Sequence, residues 1–298
     1  MSQQLIYRPT DVETAMFGSF HGGKIKGTTT YNHNLDQAWS WRLEEFNIWT
    51  GYSNEGKSLF LKQLCLIKAL EENRRFIFCS PEDFPPEEFF DDMIHTLGGA
   101  PTDKDHPHRM PETLYKKCFE LIKDKFIFLY IPPPVNTIER VLKEMEKLIM
   151  AEDIYGCIID PIIKFTPSSS APERDDRYAG YIGTLLVDFA RRHKISMHMV
   201  MHQNTPKMND KGYYPTPNMY NVKGGGSWAD GVDNLLYVQR PLMAKDKTDT
   251  GVIFGSQKIK KQKLVGVPQD IFMEFNRRTN RYMDNATKVD MFNFDKFL

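Results

Sequence analysis

The sequence predicts an α/β protein with a mostly parallel central sheet covered by helices on both faces, closed by a C-terminal antiparallel hairpin. Three observations predict it. Short apolar runs rich in β-branched and aromatic residues alternate with longer helical stretches along most of the 298 residues. Several of these runs are hydrophobic throughout, as strands buried on both faces are. Between one such run and one such helix lies Gly51-Tyr52-Ser53-Asn54-Glu55-Gly56-Lys57-Ser58, which fits the phosphate-binding pattern G-x-x-x-x-G-K-[ST].

Residues 1 to about 40 precede the core as a linker. Asp11 can cap a short helix (DVETAMF) with Glu13 in its first turn, and 18–34 is rich in Gly, Thr and Asn, as loops are. A short helix that packs little at home is either a loose tail or a segment that docks on a neighbouring subunit. The core, 41–285, then alternates. Strand 45–50 (EFNIWT) leads to helix 58–72, and strand 75–80 (RFIFCS) to a helix at about 86–97. Loop 99–112 and a helix to 123 precede strand 126–131. Helix 136–152, strand 154–160 (IYGCIID), helix 176–193 and strand 195–201 (ISMHMVM) follow. After a polar segment, 203–227, come strand 232–239 and an antiparallel pair at about 250–259 and 269–276, with 286–298 as a tail.

Strand, glycine-rich turn and helix in that order bring backbone N–H groups to a helix N-terminus, where the dipole favours anions. Lys57 then reaches the β- and γ-phosphates of ATP or another nucleoside triphosphate, and the Ser58 hydroxyl binds Mg²⁺. Gly51, Ser53, Asn54, Gly56 and Leu59 complete the cradle. Glu55 is an acid inside an anion site, so its side chain is expected to point away from the phosphates.

Parallel sheets bind ligands at the carboxyl ends of their strands. Asp160 ends the run CIID and suits a role in the Mg²⁺ shell. Glu82, after strand 75–80, can activate an attacking water; on residue type alone Asp83 is an equal rival. His202 and Gln203, after strand 195–201, can hydrogen-bond a γ-phosphate and sense its loss. His198, inside that strand, reads as a packed core residue. The segment 203–227 is too long for a plain connection. Its Lys207, Lys211 and Lys223, with Gly224, Gly225 and Ser227, suit a phosphate chain, and Trp228 can stack on a base or pack in the core. The loop 166–174 is a second candidate to face a polymer. Lys258, Lys260, Lys261 and Lys263 crowd a strand end. Such a run commonly protects a solvated edge; the alternative is a cation offered to the γ-phosphate of an adjacent subunit.

Formal net charge is zero, so nucleic-acid binding must come from local patches. Cys65, Cys79, Cys118 and Cys157 show no C-x-x-C spacing and read as free thiols in a reducing compartment. No apolar run approaches a membrane span. The N-terminus lacks a signal-peptide core, which points to the cytoplasm of a bacterium or a phage-infected cell rather than a mitochondrial matrix.

Taken together these stretches resemble the RecA-type ATPase domain of hexameric replicative helicases, the DnaB family and above all its Twinkle-like members. The resemblance runs from about Gly27 to Asp284: GTTTYNHNLDQAW before the phosphate loop, FCSPED, IIDPI, MHQNTPK, YNVKGGGSWADGVDNLLYVQR and FGSQKIKK. It implies a ring that moves 5′ to 3′ on single-stranded DNA, with Glu82 rather than Asp83 as catalytic base and Asp160 on Mg²⁺. His202 and Gln203 would be the sensor, and a cationic K-x-R pair would come from the adjacent subunit. Here that pair reads Lys258-Ile259-Lys260, and lysine cannot reproduce an arginine fork. Arg277 or Arg278 is the alternative source of an arginine. Only about 40 residues stand where family members usually carry a primase, primase-like or collar domain, so a separate primase or loader protein is an expected partner. Tyr282, after the last expected strand, is a candidate base contact.

Overall fold

A computed structural model of the chain describes residues 6–168, 171–172, 175–210 and 213–298. A 3₁₀ turn, Pro9–Val12, opens onto α1 (Glu13–Gly22). α2 (His33–Ala38) is capped by Asn32, whose side chain accepts from the Leu35 amide at 3.1 Å. β1 (Phe46–Gly51) runs into the glycine-rich turn and α3 (Lys57–Glu72), which stops at left-handed Asn73. β2 (Arg75–Cys79), α4 (Pro86–Gly98), α5 (Glu112–Ile122), β3 (Phe126–Phe128), α6 (Ile138–Ala151), β4 (Ile154–Ile159), α7 (Asp175–His193) and β5 (Ser196–His202) follow in alternation. The chain closes with α8 (Ser227–Gly231), β6 (Asn234–Gln239), β7 (Gly251–Ile259), α9 (Gln262–Val265), β8 (Asp270–Asn276) and β9 (Arg281–Asp284).

The nine strands form one sheet in the order β3-β2-β4-β5-β1-β6-β7-β8-β9. The six from β3 to β6 are parallel; β7, β8 and β9 add on antiparallel. β1 lies between β5 and β6 with all six residues buried. Its side chains alternate between two cores, Trp49 facing α3 and α4, Phe46 and Ile48 facing α6 and α7. This two-sided burial is why the strands read as unbroken apolar runs. His198 is fully buried. Its Nδ1 accepts from Trp49 Nε1 at 3.0 Å, and its Nε2 lies 2.8 Å from Ser196 Oγ. It is the core residue that was expected.

Three expected features differ. α1 runs through Gly18 to Gly22 with every residue exposed, so the stretch read as loop is half helix. Residues 27–40 pack on the core: Thr28 bridges Trp41, and Trp39 is fully buried. The antiparallel part has a further strand, β9, four residues long and too short to announce itself beside the β8 run. Beyond it Met291, Phe292 and Phe294 are buried, so the tail packs rather than trails. All four cysteines are buried and unpaired. No described helix is long and apolar enough to cross a membrane.

Burial depresses the His198 pKa to about 3. The unfolded chain takes up this proton near pH 6.5 and the native chain does not, so stability is full above about 6.5 and falls as pH drops towards the folded value. At pH 4.5 the group should cost on the order of 2–3 kcal/mol. Urea unfolding should show a shallower loss between pH 6.5 and 4.5 for His198→Gln than for the wild type, whatever the variant's stability at pH 7. Parallel curves would refute the assignment.

Candidate functional site

The turn after β1 is shaped by two glycines that nothing else can replace. Gly51 has φ 150°, and a Cβ there would lie 2.2 Å from Val238 O. Gly56 has φ 88°, and a Cβ would meet the Tyr282 hydroxyl at 2.3 Å. Lys57 opens α3 and is almost fully buried. Burial lowers its pKa, while the carboxylates of Asp160, Glu55 and Glu82 pull the other way. Its Nζ donates to Tyr52 O at 2.6 Å. Among the described residues the Ser53, Asn54 and Gly56 amides donate to no protein group. Such a ring of free N–H groups at a helix start suits phosphate oxygens.

Glu55 turns back into the protein. It is buried and accepts from the Tyr52 amide at 3.0 Å. Burial pushes its carboxyl up to about 7, against the Tyr52 and Arg240 amides and Lys57. Asp160, at the end of β4, hydrogen-bonds the Ser58 hydroxyl, and burial raises its pKa to about 6. A hydroxyl and a carboxylate in contact are the hard oxygen donors that Mg²⁺ takes while keeping most of its waters. The residues therefore fit a Mg²⁺–triphosphate.

The geometry separates Glu82 from Asp83. Asp83 is committed: Ser80 Oγ donates to it at 2.8 Å and Lys62 Nζ lies 3.2 Å away. Glu82 is half exposed and meets only Lys164, at 3.3 Å, among the described residues. It is close enough to Lys57 and His202 to influence both. His202 is half-buried, with a pKa lowered by burial and then by Lys57, so it is a neutral imidazole beside the loop. Its Nδ1 is buried without a partner.

Gln203 is differently placed from the expected phosphate contact. Its Nε2 donates to Thr50 Oγ1 and to Asn218 O, both at 3.0 Å, and its Oε1 accepts from the Asn218 amide at 3.3 Å. It clasps the long segment to β1. Lys207 and Lys223 are exposed, and the Lys223 amide donates to His202 O at 2.9 Å. Gly224 and Gly225 have φ 95° and 93° and bring the chain round beside Ser227. Trp228 does not stack outward. It is buried in the core on the α6–α7 face, its indole against Gly224, and serves as a prop under this turn. Lys211 lies outside the described residues, as do residues 169–170 and 173–174 of the second loop.

Tyr282 is likewise no base contact. It is buried in β9, and its hydroxyl donates to Gly56 O at 2.9 Å, holding the phosphate loop from below. Lys258 turns inward to bond Ala229 O, Lys260 lies 3.4 Å from Asp233 and Lys261 lies 3.5 Å from Glu45. β7 runs against β6, so Ile259 faces Asn234 at the amino end of the parallel strands. The phosphate loop leaves the carboxyl end. Six residues of strand, about 20 Å, separate the two edges, beyond a lysine's reach. These lysines cannot serve their own chain's loop. Arg277 and Arg278 follow β8 at the loop's own edge. Sequence reasoning missed Tyr52, Lys62 and Lys164; a variable motif position and two single lysines carry no pattern.

Fold and site together define a helicase-type ATPase domain of the DnaB/Twinkle kind. No protein-family model matches the sequence. Over 281 residues, 93% of the chain, it is 22% identical to the Twinkle homolog protein, chloroplastic/mitochondrial, of Arabidopsis thaliana, and it spans 39% of that protein's length. In structure it is similar to an ATPase domain solved on its own, with a TM-score of 0.76 at 12% identity over 93% of this chain and 98% of that one. It is also similar to a DnaB-like replicative helicase described with its interactions with primase. There the TM-score is 0.74 at 12% identity, over 94% of this chain and 68% of that chain.

Glu82→Gln is expected to lower nucleotide turnover at least about a hundredfold while triphosphate binding survives. Asp83→Asn should instead lower the unfolding midpoint and leave turnover within about tenfold, since it loosens Lys62 and Ser80. Steady-state hydrolysis beside a binding titration separates the two; equal losses of turnover would reinstate Asp83 as the rival.

Proposed function

We propose that this chain is the ATP-driven motor of a ring-forming replicative DNA helicase, moving 5′ to 3′ on single-stranded DNA and separating duplex ahead of it. One observation carries the reading. Lys57, Ser58, Asp160, Glu82 and His202 converge at one sheet edge, the exposed Lys223 is bonded through its backbone to His202, and the lysine cluster lies at the opposite edge. The site is thus half a site, and a second copy supplies the rest.

In this reading the free amides of 53–56 and Lys57 bind the triphosphate. Ser58 and Asp160 hold Mg²⁺, which would neutralise charge on the β- and γ-oxygens. Glu82 leaves Lys164 to orient and deprotonate the attacking water. Neutral His202 senses the γ-phosphate and passes its loss to Lys223, with Gln203 holding the segment to β1. Lys260 of a neighbouring subunit leaves Asp233 and faces the phosphate as a point charge. α1, with Met16, Phe17 and Phe20 exposed, docks on a neighbour in a hexameric ring. A separate primase or loader and a cytoplasmic location complete the picture.

The lysine tied to Asp233 in place of an arginine favours a second reading, a RecA-like ATPase that binds or remodels DNA without unwinding it. A forked duplex with a 5′ tail decides between them. The helicase reading expects strand separation that needs ATP and the 5′ tail; DNA-stimulated hydrolysis without separation establishes the second. Lys260→Ala should lower turnover with ATP binding retained, and mixing it with Glu82→Gln subunits should restore part of the activity. No restoration would place Lys260 in its own chain's site.

A further inference from the structure

Tyr52 is gripped at three points by three parts of the chain. Its amide donates to Glu55 at 3.0 Å, its carbonyl accepts from Lys57 Nζ at 2.6 Å, and its hydroxyl donates to Pro215 O at 3.1 Å. Its ring lies 5.1 Å from that of Tyr214, inclined at 46°. The residue is only 9% exposed. From the far side Gln239, at the end of β6, donates to Tyr214 O at 3.4 Å and to Pro215 O at 3.1 Å. The segment that leads to Lys223 is therefore pinned twice: at Asn218 by Gln203, and at Tyr214–Pro215 by a residue of the phosphate loop itself.

We propose that Tyr52 is a positioning residue that couples occupation of the phosphate loop to the placement of the segment from Tyr214 to Lys223, by a route that does not pass through Gln203. The inference rests on the nucleotide and DNA roles proposed above. Its physical basis is a competition for Lys57. The ammonium now bonds a neutral carbonyl, and a triphosphate offers it charge-assisted bonds about twice as strong. When Lys57 turns to the phosphate, Tyr52 loses one of its three restraints while the loop closes on the anion. Its hydroxyl and ring stay locked to Pro215 and Tyr214. Close-packed contacts shift between discrete arrangements rather than stretch, so the segment moves with the loop.

The test needs no DNA. The exposed Lys207 and Lys223 are trypsin sites in the segment. In the wild-type chain, Mg²⁺ with the non-hydrolysable analogue AMP-PNP should change their cleavage rate about fivefold or more, the low end of ordinary coupling between sites. In Tyr214→Ala the response should shrink to within about twofold, while binding of a fluorescent ATP analogue and basal turnover stay at wild-type level. Tyr214→Phe keeps the ring pair and should respond like the wild type. Tyr52→Phe, which deletes one hydroxyl and leaves the packing, gives an intermediate response and covers the case in which Tyr214→Ala fails to fold. A nucleotide-binding wild type whose cleavage does not respond, or a Tyr214→Ala or Tyr52→Phe that responds fully, overturns the proposal. A wild type that binds no nucleotide removes the proposed function and this inference with it. A wild type that responds to nucleotide but binds no oligothymidylate keeps the coupling and sinks the DNA role alone.

Discussion

Everything at the candidate site depends on six neighbouring strands running the same way. Parallel pairing puts every carboxyl end on one edge, so residues far apart in the chain arrive together: the loop from β1, Glu82 from β2, Asp160 from β4 and His202 from β5. Reversal of direction at β7 has the opposite effect and delivers Lys258 and Lys260 to the other edge. A single switch from parallel to antiparallel pairing thus divides the charged machinery between two faces of one subunit, and contact between copies is what rejoins it.

The site is also electrostatically unfavourable on its own. Lys57, Lys62, Glu55 and Asp160 are all buried or nearly so, and burial works against the charge of each. Mutual pairing offsets much of that cost, yet the His202 Nδ1 is buried with no partner. An apolar core of the same volume would be more stable. Charged and polar groups gathered at one strand edge against their own desolvation are what a site for a charged ligand looks like.

Much of this was legible in the sequence. The strand–loop–helix unit, the alternating order of elements, the Asp160 carboxylate and the core placement of His198 followed from pattern and spacing, because each is a local consequence of chain chemistry. What escaped was long-range. Trp228 beside glycines and lysines carried no mark of whether it faced water or the core; only the fold around Gly224 turns it inward. Tyr282 lies in a four-residue strand that exists through pairing with β8. The choice between Glu82 and Asp83 was undecided by residue type and was separated by where Lys62 sits. α1 held its helix across Gly18 with no buried face, so composition misjudged its length.

The bond from Tyr282 to Gly56 joins positions 226 residues apart, and the amide side chain of Asn32 likewise reaches Met291 O at 3.2 Å. Strand β9, which supplies the support beneath the nucleotide loop, therefore leaves the ribosome long after the loop itself. A nascent chain carries the complete glycine-rich motif well before it can hold that motif in shape. Domains fold as units once their parts have emerged, so nucleotide competence follows the arrival of β9 and not the first appearance of the motif.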